Sequence, residues 1–266
     1  MNKPPTLTKQ QRTILTLIYR FRFTCTKHIQ QALGIKHITN VQPRLNLLVQ
    51  LGFIGRNYDG SLRLAGLPAS YYLLSAGIAA LKSFDPEVNK SALHNVYKDK
   101  SASPRFIRHC LMVGDVNHEF TRVYGEALEL FTGSESKEYG YFPEPLPDAY
   151  VVINDPARTD DDPLHFFVEV CEDSTPIFVY QKRIQQYLKY VEVEAWQDET
   201  GTKLPNVLLI CESDVLRKKL LKFADKVLEN SFQDDLVFRA ITKAGIASIA
   251  EPKKKARVSE DTRASL

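Results

Sequence analysis

The sequence predicts an α/β protein in two parts: a small basic unit of helices and a hairpin, then a larger α/β sandwich on a mixed central sheet. Three observations predict it. At 266 residues the chain is too long for one small module and suits two ordinary domains. Residues 1–83 hold five Lys and six Arg against one acid, Asp59, whereas the remainder is net acidic. From residue 105 onward, apolar strand-like runs alternate with amphipathic helical ones, the pattern of helices packed on a sheet.

Composition excludes several classes. A charged fraction of 25% with 10% aromatic residues does not fit a disordered or collagen-like chain. No apolar run approaches the roughly 20 residues that cross a bilayer. The start, MNKPPTLTKQQR, is polar and lacks a signal-peptide core. Cys25, Cys110, Cys171 and Cys211 are far apart with no CxxC pair, so neither a zinc site nor a disulfide framework is indicated. The expectation is a soluble cytoplasmic protein with no membrane partner.

In the basic unit, Thr8 is placed to cap a first helix carrying Ile14, Leu15, Ile18 and Tyr19 at helical spacing. A second helix, KHIQQAL, with Thr26 placed to cap it, stops at Gly34. A third begins near Thr39 or Asn40, tolerates Pro43 in its first turn and ends at Gly52. Its Val41, Leu45 and Leu48 form one stripe, leaving Gln42, Asn46 and Gln50 toward the other side. FIGRNYDGSLRLAG reads as a hairpin turning at Asp59-Gly60, followed by the strand ASYYLL and the helix SAGIAALK, capped by Ser75. Three helices and a basic hairpin over 1–83 make a winged helix-turn-helix, whose third helix enters the major groove of DNA. Gln42 and Asn46 suit adenine edges, while Arg44, with Arg56 and Arg63 on the two hairpin arms, suits phosphates. Lys36, Thr39 and Asn40, at the lead-in, complete the expected DNA-facing set. Winged helices also serve as protein-interaction modules, and that alternative stands beside the DNA reading.

Residues 84–104 read as a linker. A helix from Pro104 to about Phe131 buries Ile107, Leu111, Val116, Phe120, Val123 and Leu130, with Gly114 weakening its middle. It carries His109 and His118, and a lone histidine there is more often structural than catalytic. Three strands follow, KEYGYF (137–142), PLPDAYVVIN and LHFFVEVC, with the acidic loop DPARTDDDP between the last two. Then come the helix TPIFVYQKRIQQYLKYVEVEAW, the buried strand PNVLLIC, a helix capped by Ser213 and the strand DLVFRAIT. This second domain spans 105–250. A basic tail, 251–266, carries Lys253, Lys254, Lys255 and Arg257 and is expected to be flexible.

Asp148, at the entry of one strand, and Glu169, on the next, can converge at one end of the sheet. Paired carboxylates suit Mg²⁺ or Mn²⁺, which prefer hard oxygen ligands, and such an ion activates water or polarises a phosphate. The plainer alternative is a solvated Asp and an ion-paired Glu.

The PD…ExC hairpin followed by QKRIQQY resembles the PD-(D/E)XK, or restriction-endonuclease-like, nuclease superfamily. With a winged helix ahead of it, the chain looks like the plasmid replication-relaxation family, related to the C-type mobilisation relaxases. NVQPRLNLLVQLGFIGR, RHCLMVGDVNHEF, PLPDAYVVI, FFVEVCEDSTP and RIQQYLKY carry the resemblance in that order. It implies that Asp148 and Glu169 are ligands of Mg²⁺ or Mn²⁺. Two positions depart from the pattern. Cys171 stands where the superfamily usually has Lys and the relaxase-like branch often an acid, and Arg183 stands where Lys is typical, four before Tyr187. The catalytic cation is then either Lys182 or Arg183, the latter acting only electrostatically because guanidinium does not give up its proton. Glu172 could replace the missing acid, although strand alternation points it away from Glu169. The implied function is a DNA-binding protein of a plasmid or mobile element, acting in replication or mobilisation and nicking DNA with a metal ion. Its rival is a non-enzymatic regulator or initiation factor with a degenerate nuclease fold. Expected partners are double-stranded DNA with an origin-like site, replication or mobilisation proteins, and a second copy of the chain.

Overall fold

The computed structural model describes residues 7–250, except 65, 87, 89–92, 95, 155–161, 232 and 234; the basic tail lies outside the described residues. The chain opens with α1 (Lys9–Phe21), started by a reciprocal cap. The Thr8 hydroxyl accepts from the Gln11 N–H and the Gln11 side chain accepts from the Thr8 N–H. Next come β1 (Thr24–Cys25), α2 (Thr26–Ala32) and α3 (Gln42–Gln50). Val41, Leu45 and Leu48 are fully buried, packing α3 onto Ile14, Leu15 and Ile18 of α1. β2 (Ile54–Asn57) and β3 (Ser70–Leu73) pair antiparallel, Ile54 opposite Leu73, within a three-stranded sheet ordered β1-β3-β2.

The expected hairpin is therefore rearranged. The run after Asp59 forms a short helix, α4 (Gly60–Leu64), because the Asp59 carboxylate accepts the Leu62 N–H and caps it. Arg56 lies on β2, but Arg63 rides on α4 in the connection and not on a hairpin arm. After α5 (Ser75–Phe84), Val88, Leu93 and Val96 of the expected linker pack into this first core.

The second unit begins with α6 (Pro104–Tyr124), capped by the Ser103 hydroxyl. It ends earlier than its apolar pattern suggests, at Gly125 with φ 51°, and Leu128–Thr132 becomes strand β4. A helical turn, α7 (Gly133–Ser136), leads toward β5 (Ala149–Ile153) and β6 (Leu164–Cys171). KEYGYF is not a strand. Its Tyr141 and Phe142 pack against Trp196, Phe142 also meets Tyr150 and Phe167, and the segment is held by ring contacts instead of a ladder. Then follow α8 (Ile177–Val191), α9 (Ala195–Thr200), β7 (Asn206–Cys211), α10 (Asp214–Glu229, capped by Ser213) and β8 (Phe238–Thr242). The sheet is ordered β4-β5-β6-β7-β8, antiparallel from β4 to β6 and parallel from β6 to β8, so the mixed α/β sheet is present. α6 covers one face over Val151, Phe166 and Val168, while α8 and α10 cover the other over Phe167, Val207 and Leu209. No helix among the described residues is long and apolar enough to cross a membrane.

The two units meet along α6. The His28 imidazole sits over Gly114, where a β-carbon would lie 2.7 Å from its Cε1. Lys27 and His28 both reach the Asp115 carboxylate, each at 3.4 Å. Burial opposes a charge on His28, yet Asp115 and the adjacent Cys25 outweigh it and raise its pKa to about 9. His28 in turn lowers Asp115 to about 2.

Two expectations follow from this contact. Ala in place of Gly inside a helix ordinarily adds about 1 kcal/mol, but Gly114→Ala should lower the melting temperature because the methyl displaces His28. The raised His28 contributes stability in full below its unfolded value near 6.5 and loses it as pH rises through about 9. The depressed Asp115 contributes above 3.8 and loses it toward about 2. Asp115→Asn should therefore lower the melting temperature most between those limits, and the gap from wild type should shrink by pH 10. A gap that stays constant from pH 5 to pH 10 would show that His28 does not carry the contact.

Candidate functional site

Pairing of β5 with β6 sets the site. Ala149 faces Val168 in the register, so the next position outward puts Asp148 opposite Glu169. The Asp148 carboxylate turns across the strand end, and its Oδ2 accepts the Val170 N–H at 2.7 Å. Its Oδ1 meets Nε2 of His109, from α6, at 2.7 Å. The same imidazole contacts Glu172 through Nδ1 at 3.1 Å. Burial alone would keep this imidazole neutral, but Asp148 and Glu172 together raise it to about 9, so it carries charge at neutral pH. Glu172, 1% exposed, also meets Nε of Arg108 at 3.2 Å.

Glu169 faces the other layer. Its Oε1 accepts three hydrogen bonds: from Nε and a terminal nitrogen of Arg183, at 2.8 and 2.7 Å, and from the Tyr187 hydroxyl at 2.6 Å. Burial raises the Glu169 carboxyl; Arg183 works against that rise and Asp148 adds to it. Burial beside Glu169 pushes the Tyr187 phenol well up, so it remains a donor. Arg183 and Tyr187 stand one turn apart on α8, which brings both over the same carboxylate.

The structure thus brings Asp148, Glu169 and Arg183 into one cluster and leaves Lys182 out of it, exposed on the far side of α8. Cys171 is fully buried against the α8–α10 layer, and its thiol donates to the Glu169 backbone carbonyl at 3.8 Å and not to a carboxylate of the cluster. Sequence reasoning did not assign His109 or Arg108 a place here. Their carboxylate partners are tens of residues away, and the only hint was their position in RHCLMVGDVNHEF.

These residues do not fit a divalent cation as arranged. Both Asp148 oxygens and Glu169 Oε1 are already taken by protein donors. Among the described residues no group of three or more His, Cys, Asp or Glu is placed to hold a metal. What the arrangement does chemically is hold three carboxylates at the sheet end against three cations.

Of the expected DNA-facing residues, Lys36, Thr39, Asn40, Asn46, Arg56 and Arg63 are exposed, and Gln42 and Arg44 are half-buried. The Gln42 amide donates to Asn46 Oδ1 at 2.9 Å, and Arg44 donates to Gln10 and to the Asn40 carbonyl.

Fold and site together define an α/β protein with a mixed five-stranded sheet and a paired-carboxylate cluster at the β5–β6 end. The chain belongs to the replication-relaxation family, whose model matches residues 15–206, from α1 to the start of β7. No curated protein matches it.

The cluster makes a sharp distinction between neighbours on α8. Removing one partner of a largely buried ion pair typically costs about 3–5 kcal/mol, so Arg183→Ala should shift the urea midpoint strongly. Lys182→Ala should stay within about 0.5 kcal/mol of wild type, as exposed substitutions do. Equal effects of the two would rule out the Arg183–Glu169 pairing.

Proposed function

We propose that this protein binds double-stranded DNA at an origin-like site and acts in plasmid replication or mobilisation as a regulator or initiation factor. The observation that carries the reading is the charge of the first unit, five Lys and six Arg against Asp59 over residues 1–83. Membership of the replication-relaxation family supports the setting. In this reading the first unit works as a winged helix. α3 lies in the major groove, where Asn46 and Gln42 address base edges. Lys36, Arg44, Arg56 and Arg63 hold phosphates, and Thr39 and Asn40 line the approach. The carboxylate cluster is a structural tie between the layers of the second unit, because each acid there is already matched by a cation.

A second reading, DNA nicking, is favoured by one observation: Asp148 and Glu169 stand opposite each other at the strand ends, where the resemblance to restriction-endonuclease-like nucleases puts metal ligands. It requires Mg²⁺ or Mn²⁺ to displace His109 from Asp148 Oδ1 and to meet Glu169 through the carboxylate whose Oε1 Arg183 and Tyr187 hold.

Binding of the full chain to duplex DNA should weaken steeply with salt, as each phosphate contact releases counterions. The double change Arg56→Glu with Arg63→Glu should weaken binding to every sequence. Asn46→Ala should instead reduce discrimination between sites, by about 1–3 kcal/mol where a base contact is lost. Incubation of supercoiled plasmid with Mn²⁺ separates the two readings. Relaxation that is the same with wild type and Asp148→Ala supports the regulator, and relaxation lost only in Asp148→Ala supports the nickase. No shift of any duplex at low salt would sink both.

A further inference from the structure

We propose that the cavity between α1 and the Pro147–Asp148 corner is a subsite for one unpaired nucleotide of a DNA strand. The inference rests on the DNA-binding reading above and adds where a single strand sits. The cavity encloses about 430 Å³, within the range of sites that hold small organic groups. It is formed by both units, with Arg20, Phe21 and Arg22 coming from the end of α1 and the rest from the second unit.

Its lining is split as a nucleotide is split. Phe21, Phe106 and Leu146 present an apolar wall suited to a base, since every base has a face that stacks on or packs against such groups. Lys137 and Arg22, the latter also paired with Asp99, bring positive charge to the same space, suited to the attached phosphate, while the charge of His109 is matched by Asp148 and Glu172. Asp148 lies at the inner end, beside His109.

Arg22 is held in place by its backbone and by its partners. It ends α1 at φ 63° and ψ −43°, with the Phe23 N–H bonded to the Phe21 carbonyl across it at 2.7 Å. That is a γ-turn of the strained, positive-φ kind, which a residue with a β-carbon rarely adopts. The surroundings enforce it. The Arg22 guanidinium pairs with Asp99, which is 2% exposed, and stacks over the Phe106 ring at 4.6 Å. An arginine fixed this way, at the rim of a cavity leading to Asp148, is pre-organised to meet a phosphate without losing side-chain freedom.

The same chemistry is offered by a free nucleotide, and the test separates the two sources. The full chain is titrated into a labelled oligothymidylate of about 12 nucleotides and, separately, into a labelled duplex, following anisotropy; stacking of one base predicts about a tenfold effect when it is lost. Val113→Trp fills the cavity from α6, and Lys137→Glu reverses a charge at its wall. Each should weaken binding of the single strand about tenfold while leaving the duplex within about twofold. Unlabelled oligothymidylate should compete far better than thymidine monophosphate. If Val113→Trp lowers the melting temperature, Lys137→Glu decides alone. Single-strand binding unchanged in the deciding variants overturns the subsite, and equal competition by the mononucleotide overturns its assignment to a strand. Failure of the duplex arm alone, with single-strand binding still sensitive to both variants, supports the subsite and removes the duplex reading instead.

Discussion

Three carboxylates meet at one end of a sheet, and the positive charge they demand organises the layers around them. Asp148 and Glu169 are brought face to face by the β5–β6 register, and Glu172 follows directly where β6 ends. Taking such groups out of water costs several kcal/mol each unless they are paired and hydrogen-bonded. The cations come from both faces. α8 supplies Arg183 to Glu169, and α6 supplies His109 to Asp148 and Arg108 to Glu172. Because α6 and α8 lie on opposite sides of the sheet, the ion pairs fasten both layers to the same strand end.

The identity of those cations limits the chemistry. A lysine offers a compact charge that can lose its proton, whereas the guanidinium of Arg183 is a fixed fork that stays charged and here places two N–H groups on one oxygen. With Tyr187 as a third donor, Glu169 is held as a hydrogen-bond acceptor for the protein itself. Cys171 acts in the same direction. It is in register with Cys211 on β7 and packs in the core, so the position two after the glutamate adds a hydrophobic contact and no ligand. Neither Arg183 nor Cys171 adds an oxygen ligand beside Glu169.

Much of this was legible from local signals. LHFFVEVC is β6 from first residue to last, and Thr8 and Ser213 cap the helices they were expected to cap, whereas Thr26 and Ser75 fall inside theirs, after Cys25 and Leu74. Val41, Leu45 and Leu48 are buried as their spacing requires. The errors have physical causes. Leu128–Thr132 was absorbed into α6 because its apolar residues continue the helical phase, and the overlooked signal was Gly125. KEYGYF alternates like a strand, but its rings find partners in an aromatic cluster. Asp59-Gly60 is a turn pair in hairpins, yet the carboxylate can cap a helix equally well, and that moved Arg63 off the sheet. The choice of Arg183 over Lys182 was readable in principle, since Arg183 precedes the buried Ile184 and stands one turn before the buried Tyr187. His109 was not readable, because a single histidine on an amphipathic helix has no periodic signature and its partners come from other elements.

The charge asymmetry of the sequence also divides once the fold is known. Arg20 reaches the Leu130 carbonyl and the Glu135 carboxylate, Arg22 pairs with Asp99, and Lys27 joins His28 on Asp115. Arg20, Arg22 and His28 face inward while Lys27 stays exposed, and two of their three acidic partners, Asp115 and Glu135, belong to the acidic part of the chain beyond residue 103. Lys36, Arg56 and Arg63 are exposed, with Arg44 at the edge of α3. The excess of positive charge over residues 1–83 is therefore two populations with different physics. The inward set is short-range, partly desolvated and resistant to salt, and it fastens one unit to the other. The outward set is solvated and screened, and the long-range attraction for a polyanion belongs to it alone. Net charge counted along the chain overstates the field offered to a polyanion and understates the electrostatic work done between the two units.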